Sequence, residues 1–134
     1  MLKQLSIIAE NKVGAMSTIT SLIADQGIDF YNVITNDSAE FGNVRIMCSD
    51  PEKARDIMKE NGYLCKINPV IGVEISEEVG SLSKLLHTFR DINVNISYLY
   101  VCYLRSSQNP VAIVHVEDFD GVEEGLEAKG YHTL

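Results

Sequence analysis

The sequence predicts an α+β fold in which a βαββαβ unit occurs twice, each unit an antiparallel sheet with its helices on one face. Residues 11–16 and 77–82 each follow a β-type run and precede a helix-type run, 66 positions apart. The apolar residues beyond them correspond at the same spacing: Ile19 with Leu85, Ile23 with Phe89, Ile28 with Val94, and Phe30 with Ile96. Such self-similarity indicates a duplicated structural unit. We therefore predict two repeats, residues 1–67 and 68–134.

The first repeat opens with a strand, a helix and a hairpin. Apolar and polar residues alternate in the first strand, whose apolar members are Leu5, Ile7 and Ala9. Between positions 16 and 23 the apolar residues recur at helical spacing, and Gly27 follows as a left-handed helix cap. Residues 28–37 and 42–49 are rich in β-branched and apolar side chains, and the polar turn at 36–40 joins them. We expect these two strands to pair as a hairpin.

A second helix and a short strand complete this repeat. Asp50 can cap free N–H groups, Pro51 suits the first helical position, and Glu52 complements the helix dipole. Gly62 marks the end of the helix. Residues 63–67 then supply the last strand of the unit.

The second repeat follows the same order after a junction at Asn68 and Pro69. Asn93 takes the place of Gly27, as a residue that also tolerates positive φ. The predicted elements are residues 70–76, 81–91, 94–105, 110–116, 119–129 and 131–134. The last of these is barely long enough to count as a strand.

The strand near residues 94–104 carries apolar side chains on both faces. Even positions carry Val94, Ile96, Tyr98 and Tyr100, and odd positions carry Leu99, Val101 and Tyr103. One face can meet the helices of its own layer, and the other, which Val111 and Ile113 would extend, needs separate cover. An apolar sheet face of this kind usually packs against another protein surface. We predict a homodimer through this face. Cover by the first repeat within one chain is the alternative.

Composition excludes several classes of function. The formal charge of −8 disfavours nucleic acid as a partner, and no apolar run is long enough to span a membrane. The start of the chain has no signal-peptide pattern, so we expect a cytoplasmic protein. Three scattered cysteines and three scattered histidines show no ligand spacing, so we predict reduced thiols, no metal site and no cofactor.

The order of the elements and three loop segments resemble the ACT domain, which has a ferredoxin-like fold. These segments are Asn11-Lys12-Val13-Gly14-Ala15-Met16, Gly27-Ile28-Asp29-Phe30 and Gly42-Asn43-Val44-Arg45-Ile46. The resemblance covers the chain as two copies. It implies a regulatory module without catalytic activity that binds a small molecule, most often an amino acid, and pairs side by side. Many ACT loops have proline where Val13 and Val79 stand, which leaves the ligand preference open.

The first β–α loop is the main predicted ligand site. N–H groups at a helix start lack intrahelical partners and carry the positive end of the dipole, so they can hold a carboxylate. Gly14 lets the backbone turn sharply and leaves room for a ligand, although it can also serve the turn alone. The resemblance implies that the second strand of a neighbouring unit completes the pocket. The predicted ligand-binding residues are Asn11, Lys12, Val13, Gly14, Ala15, Met16, Asn93, Val94, Asn95 and Ile96.

The second loop is predicted to be a weaker site. Glu77 and Glu78 place two carboxylates where a ligand carboxylate would sit, and repulsion should weaken anion binding. They can instead hold an ammonium group, or favour the helix start from a solvated position. This second site comprises Glu77, Glu78, Val79, Gly80, Ser81 and Leu82, with Ile28, Asp29 and Phe30.

The sequence leaves two functions to separate. We expect a cytoplasmic regulatory protein that binds an amino acid, with a metabolic enzyme as a candidate partner. The apolar lining near the first loop favours a hydrophobic or aromatic amino acid. The alternative is an interaction module in which the apolar sheet of the second repeat docks a partner and the Gly14 site is vestigial. Residues 10–16 contain no arginine and no Cys-x-x-Cys, which disfavours an acyl-phosphate hydrolase and a copper chaperone of this topology.

Overall fold

A computed structural model describes residues 1–36 and 41–134 as two compact units. One unit is Lys3–Asn68, and the other comprises Met1–Leu2 and Pro69–Leu134. The elements are β1 (Leu2–Glu10), α1 (Ala15–Ala24), β2 (Phe30–Thr35), β3 (Phe41–Cys48), α2 (Pro51–Glu60), β4 (Cys65–Glu74), α3 (Ser81–Asp91), β5 (Ile96–Cys102), β6 (Val111–Val116) and α4 (Val122–Ala128). The α+β, ferredoxin-like class predicted from the sequence is confirmed.

The unit Lys3–Asn68 has β1 between β3 and the chain segment that begins β4. β1 and β3 are antiparallel, with Ile7 opposite Val44, and β2 pairs antiparallel with the other edge of β3. On the opposite side, the Ile8 N–H donates to the Leu64 carbonyl over 2.9 Å. The predicted hairpin is thus present, while residues 37–40 of its predicted turn lie outside the described part of the chain.

One apolar core holds this unit together. It joins the inward residues of β1 to both helices, and its fully buried members include Leu5, Ile7, Ile19, Ile23, Ile46, Ala54 and Met58. Burying an isoleucine or leucine side chain contributes about 1.5–3 kcal/mol, so these residues dominate the stability of the unit. Because α1 and α2 share one cluster with Leu5 and Ile7, they cover the same face of the sheet.

The second helix of this unit starts as the sequence predicts. The Asp50 carboxylate accepts a hydrogen bond of 3.1 Å from the Lys53 N–H, and Pro51 is the first helical residue. An Asp at this position contributes about 1 kcal/mol to helix stability.

The unit Pro69–Leu134 repeats the arrangement. β6 lies between β4 and β5 and is antiparallel to both. The core contains Leu85 and Phe89 from α3, at the positions that Ile19 and Ile23 occupy in α1. The last strand is reduced to a bridge between Val73 and Thr133, beside which the Leu134 N–H donates to the Gly72 carbonyl over 2.8 Å. The weak final strand predicted from the sequence is confirmed.

Two predicted details are wrong. The predicted strands 63–67 and 70–76 form one strand, β4, which passes through Asn68 and Pro69 without a break. Proline is tolerated there because the ladder from β4 to β6 begins only at Ile71, so the missing N–H removes no bond of that ladder. Val111 and Ile113 are fully buried and do not extend an exposed apolar patch. Leu99 packs against the core of the unit Pro69–Leu134, opposite Val114 of β6. Val101, near the end of β5, and Tyr103, just after it, remain exposed.

Candidate functional site

The repeated loops end in glycines with the same left-handed backbone. Gly14 precedes α1 with φ 85° and ψ −7°, and Gly80 precedes α3 with φ 90° and ψ −2°. A Cβ added at either glycine would meet no atom within 4 Å. The positive φ therefore explains both glycines as turn residues, since a side chain costs about 1–2 kcal/mol in this conformation. A second role in making room for a ligand stays a prediction.

The helices that follow these loops begin without a cap. In the described part of the chain, no oxygen accepts a hydrogen bond from the N–H groups of Met16 and Ser17, or from those of Leu82 and Ser83. The first turns of α1 and α3 also lack acidic residues. By contrast, α2 has the Asp50 cap and Glu52, and α4 has Glu123 and Glu124. The chain thus leaves the positive ends of α1 and α3 uncompensated, which suits an added anion.

A cleft of about 470 Å³ lies beside the first loop, within the unit Lys3–Asn68. We call it the first cleft. The loop and the start of α1 form one wall, and the turn between α2 and β4 forms the other. Its mouth is apolar, because four exposed apolar side chains line it: Ile8, Val13, Phe41 and Leu64. Val13 is fully exposed and Leu64 is 75% exposed, so both could gain from contact with an apolar ligand.

The charged groups of the first cleft neutralise each other. The Lys12 ammonium lies 2.9 Å from a carboxylate oxygen of Glu10, and both residues line the cleft. This hydrogen bond and the charge of Glu10 raise the pKa of Lys12. Lys12, one of the predicted ligand-binding residues, is thus paired with Glu10 in the structure.

The first loop has a second, smaller opening on its other side. A cleft of about 140 Å³ is lined by Asn11 and Met16 from the loop and by the facing ends of β2 and β3. The predicted loop residues therefore divide between two openings. Lys12 and Ala15 line both.

The second loop borders a cleft of the same size, which we call the second cleft. Its volume is about 470 Å³, and it lies within the unit Pro69–Leu134. A two-residue insertion in the second repeat widens the spacing of matching positions from 66 to 68 in the later part of each repeat. Matching residues line the two clefts: Ile8 and Glu74, Thr18 and Lys84, Phe41 and Asn109, Asn61 and Lys129, and Leu64 and His132. The duplication thus preserved the cleft and changed its chemistry.

The sequence did not reveal the charges of the second cleft. Lys84 from α3 and Lys129 from the end of α4 both line it. Only Glu78 of the predicted acidic pair does so, because the Tyr103 hydroxyl donates to the Glu77 carboxylate over 2.9 Å. That hydrogen bond raises the pKa of Tyr103. The comparison of the repeats used apolar residues; the polar residues show both lysines, because Lys84 matches Thr18 and Lys129 matches Asn61.

The remaining predicted site residues lie at the starts of β2 and β5. Asn93, with φ 59°, and the three residues after it line a shallow cleft of about 450 Å³ with Phe89 and Arg90. Ile28 is buried, and the Asp29 N–H donates to the Ser49 hydroxyl over 3.0 Å. Their expected role in completing the loop sites stays a prediction.

Metal binding and membrane insertion find no support among the described residues. No three His, Cys, Asp or Glu side chains in residues 1–36 and 41–134 come together as metal ligands. His115 stacks on Tyr98 with ring centroids 4.9 Å apart, and its edge contact with Phe119 spans 5.7 Å. None of the helices described has the length and apolar character to cross a membrane.

The two repeated units and their matching β–α loops define a tandem pair of small ferredoxin-like domains. The family model described as "ACT domain pair" matches residues 1–125, and the chain belongs to this family. No curated protein matches it.

Solved structures share the fold along nearly the whole chain. A protein from Bacteroides thetaiotaomicron is 30% identical, with a TM-score of 0.89 over 99% of this chain and 91% of its own. The ligand-free regulatory subunit of aspartate kinase from Thermus thermophilus is 13% identical, with a TM-score of 0.68 over 96% of this chain and 90% of its own. The corresponding subunit from Thermus flavus is 17% identical, with a TM-score of 0.67 over 94% and 88%. The similarity to the two Thermus subunits shows the fold alone.

Proposed function

We propose that this chain is a cytoplasmic regulatory protein without catalytic activity, and that it binds an apolar amino acid at the first β–α loop. Membership of the ACT domain pair family supports a regulatory binding role. The observation that carries the proposal is the uncompensated start of α1 at the edge of a cleft with an apolar mouth. Main-chain amides can hold the ligand carboxylate there without a cationic side chain.

The charge and the lining of the first cleft favour this ligand class. Glu10 and Lys12 are its only charged lining residues in the described chain, and they form an ion pair, so the cleft has no net charge to oppose a zwitterion. Leu64 and Val13 at the mouth favour an apolar side chain over a polar one. We expect a hydrophobic or aromatic amino acid to bind more tightly than serine or lysine.

The alternative function is docking of a partner protein. Val101 and Tyr103 are exposed near the end of β5, and such residues favour a protein contact through this sheet. A second copy of the chain is the partner we expect, and a metabolic enzyme is the other. Sedimentation of a dilute sample as a strict monomer would remove the homodimer.

A thermal-shift screen of the common amino acids and their 2-oxo acids tests the proposed function. A ligand at about 100 times its Kd adds roughly 2.7 kcal/mol to the free energy of unfolding, which raises Tm by roughly ten degrees in a chain of this size.

Gly14→Asn locates the site, with Gly27→Asn as its matched control. Asparagine tolerates positive φ, so both variants should fold, and Gly27 has φ 75° but does not line the first cleft. We expect Gly14→Asn to abolish the ligand-induced shift and Gly27→Asn to retain it. A shift retained in Gly14→Asn would place the site elsewhere, and no shift with any ligand would favour protein docking.

A further inference from the structure

The connection between β5 and β6 contains the insertion that distinguishes the second repeat from the first. Val33 of β2 lies opposite Ile46 of β3, and Leu99 of β5 lies opposite Val114 of β6. Positions of β5 therefore follow those of β2 by 66, and positions of β6 follow those of β3 by 68, so the two added residues fall between β5 and β6. Residues 103–110 join these two strands. The insertion lengthened a connection and left the strand registers unchanged.

This longer connection has hydrogen bonds of its own. We call residues 103–109 the strap. The Ser107 N–H donates to the Leu104 carbonyl over 3.0 Å, and the Asn109 N–H donates to the Ser107 hydroxyl oxygen over 3.2 Å. Leu104 is buried but belongs to neither core cluster. Because these bonds fix its shape without help from the strands, the strap can move as one piece.

Two side-chain hydrogen bonds fasten the strap to carboxylates outside it. The Tyr103 hydroxyl donates to Glu77 of the second β–α loop over 2.9 Å, and the Ser107 hydroxyl donates to Glu74, the last residue of β4, over 2.8 Å. Water can replace either partner when such a bond breaks, so each bond contributes modestly. Both can therefore break while β5 and β6 stay paired, which is the kind of local opening that surface segments undergo.

The strap forms part of the wall of the second cleft. Asn109 and Glu74 both line this cleft, and Glu77 belongs to the β–α loop beside it. While both hydrogen bonds are made, they hold the strap against this loop and the end of β4. The first repeat has Asn11 and Ile8 at the positions of Glu77 and Glu74. The two acceptor carboxylates are therefore particular to the second repeat.

We infer that the strap is a movable wall of the second cleft, which opens and closes as one piece and is held closed by the Tyr103–Glu77 and Ser107–Glu74 hydrogen bonds. Closed, it gives the cleft its volume of about 470 Å³. Opening removes Asn109 from the wall and frees the second β–α loop. The inference does not rest on the proposed function, which concerns the first loop, so each can fail in a test without the other.

Limited digestion of the full chain with trypsin measures strap opening. Arg105 is exposed within the strap, and its cleavage rate follows the population of the open state when opening and closing are fast. Cleavage after Lys84, inside α3, reports unfolding of the whole unit. We expect Tyr103→Phe and Ser107→Ala each to speed cleavage after Arg105 by about three- to tenfold, the effect of one hydrogen bond. Cleavage after Lys84 should not change.

Two further variants serve as controls. Ser106→Ala lies in the strap, changes an exposed residue and removes neither fastening bond, so its cleavage rate should match the parent. Adding Glu77→Ala to Tyr103→Phe should cause no further increase, because the first substitution already removes the bond. Circular dichroism checks that all variants fold.

Amide chemical shifts test whether the strap moves as one piece. Tyr103→Phe should shift the amide signal of Asn109 at the other end of the strap. An unchanged Asn109 signal would mean that the two bonds act separately, and it would overturn the inference. So would cleavage after Arg105 that is no faster than after Lys84 in the parent, that neither fastening variant accelerates, or that Ser106→Ala accelerates equally. A double variant cleaved faster than Tyr103→Phe alone would also overturn it.

Discussion

Leu64 offers the sharpest test of the apolar mouth of the first cleft. Leu64→Ala removes three carbons from a side chain that is 75% exposed and outside the core. Each buried methylene is worth about 0.8 kcal/mol, so a ligand that covers the exposed part gains up to about 1.8 kcal/mol from these carbons. A ligand that covers half of it gains about 0.9 kcal/mol. The expected loss of affinity is therefore about five- to twentyfold.

Stability and affinity should separate in this variant. Because Leu64 is exposed in the protein without ligand, its truncation should change the free energy of unfolding by no more than about 0.5 kcal/mol. The assay is titration of the apolar amino acid found in the screen, followed by urea unfolding. Val33→Ala is the control, since Val33 is an exposed apolar residue of the same unit that does not line the cleft. An unchanged Kd in Leu64→Ala would refute the view that the mouth contacts the ligand.

Two further predictions concern α2 and the buried thiol beside it. Asp50→Ala should lower the free energy of unfolding by about 1 kcal/mol in urea, because it leaves the Lys53 N–H without its acceptor; a loss below about 0.3 kcal/mol would contradict the capping role. Burial raises the pKa of the Cys48 thiol, so the folded protein favours the protonated thiol. The contribution of this group to the free energy of unfolding is therefore fully present below its unfolded-state pKa and is lost as pH rises through its folded-state pKa. A thiol reagent at neutral pH should therefore modify Cys65, which is less buried, before Cys48, and rapid native-state labelling of Cys48 would contradict this.

The sequence predicts those elements best that carry signals at both ends. Helix α3 was predicted at residues 81–91 and is observed at Ser81–Asp91, because Gly80 and Asn93 both adopt the positive φ that bounds it. β5 is shorter than the predicted 94–105, since an apolar run does not show where a ladder of hydrogen bonds ends. The strand break predicted at Asn68 and Pro69 was wrong because proline stops a strand only where its N–H is needed.

Only those parts of the candidate site that local sequence determines were predictable. The loops and their bare helix starts follow from local sequence, because glycine conformation and helix capping are decided by a few neighbouring residues. The walls of the clefts, by contrast, include residues that are distant in sequence from the loops. Leu64 and Lys129 come from turns about fifty residues away from the loops they face, and only the folded chain brings them there.

At the first cleft, backbone groups and side chains have different proposed roles, and this affects how the ligand preference can change. The groups proposed to hold the carboxylate belong to the backbone, whereas the side chains at the mouth lie outside the core cluster. Exchanging Val13 or Leu64 can therefore alter selectivity at little cost to folding. Substitutions at the mouth of the first cleft can therefore change its ligand, in evolution or by design, while the backbone groups that hold the carboxylate stay the same.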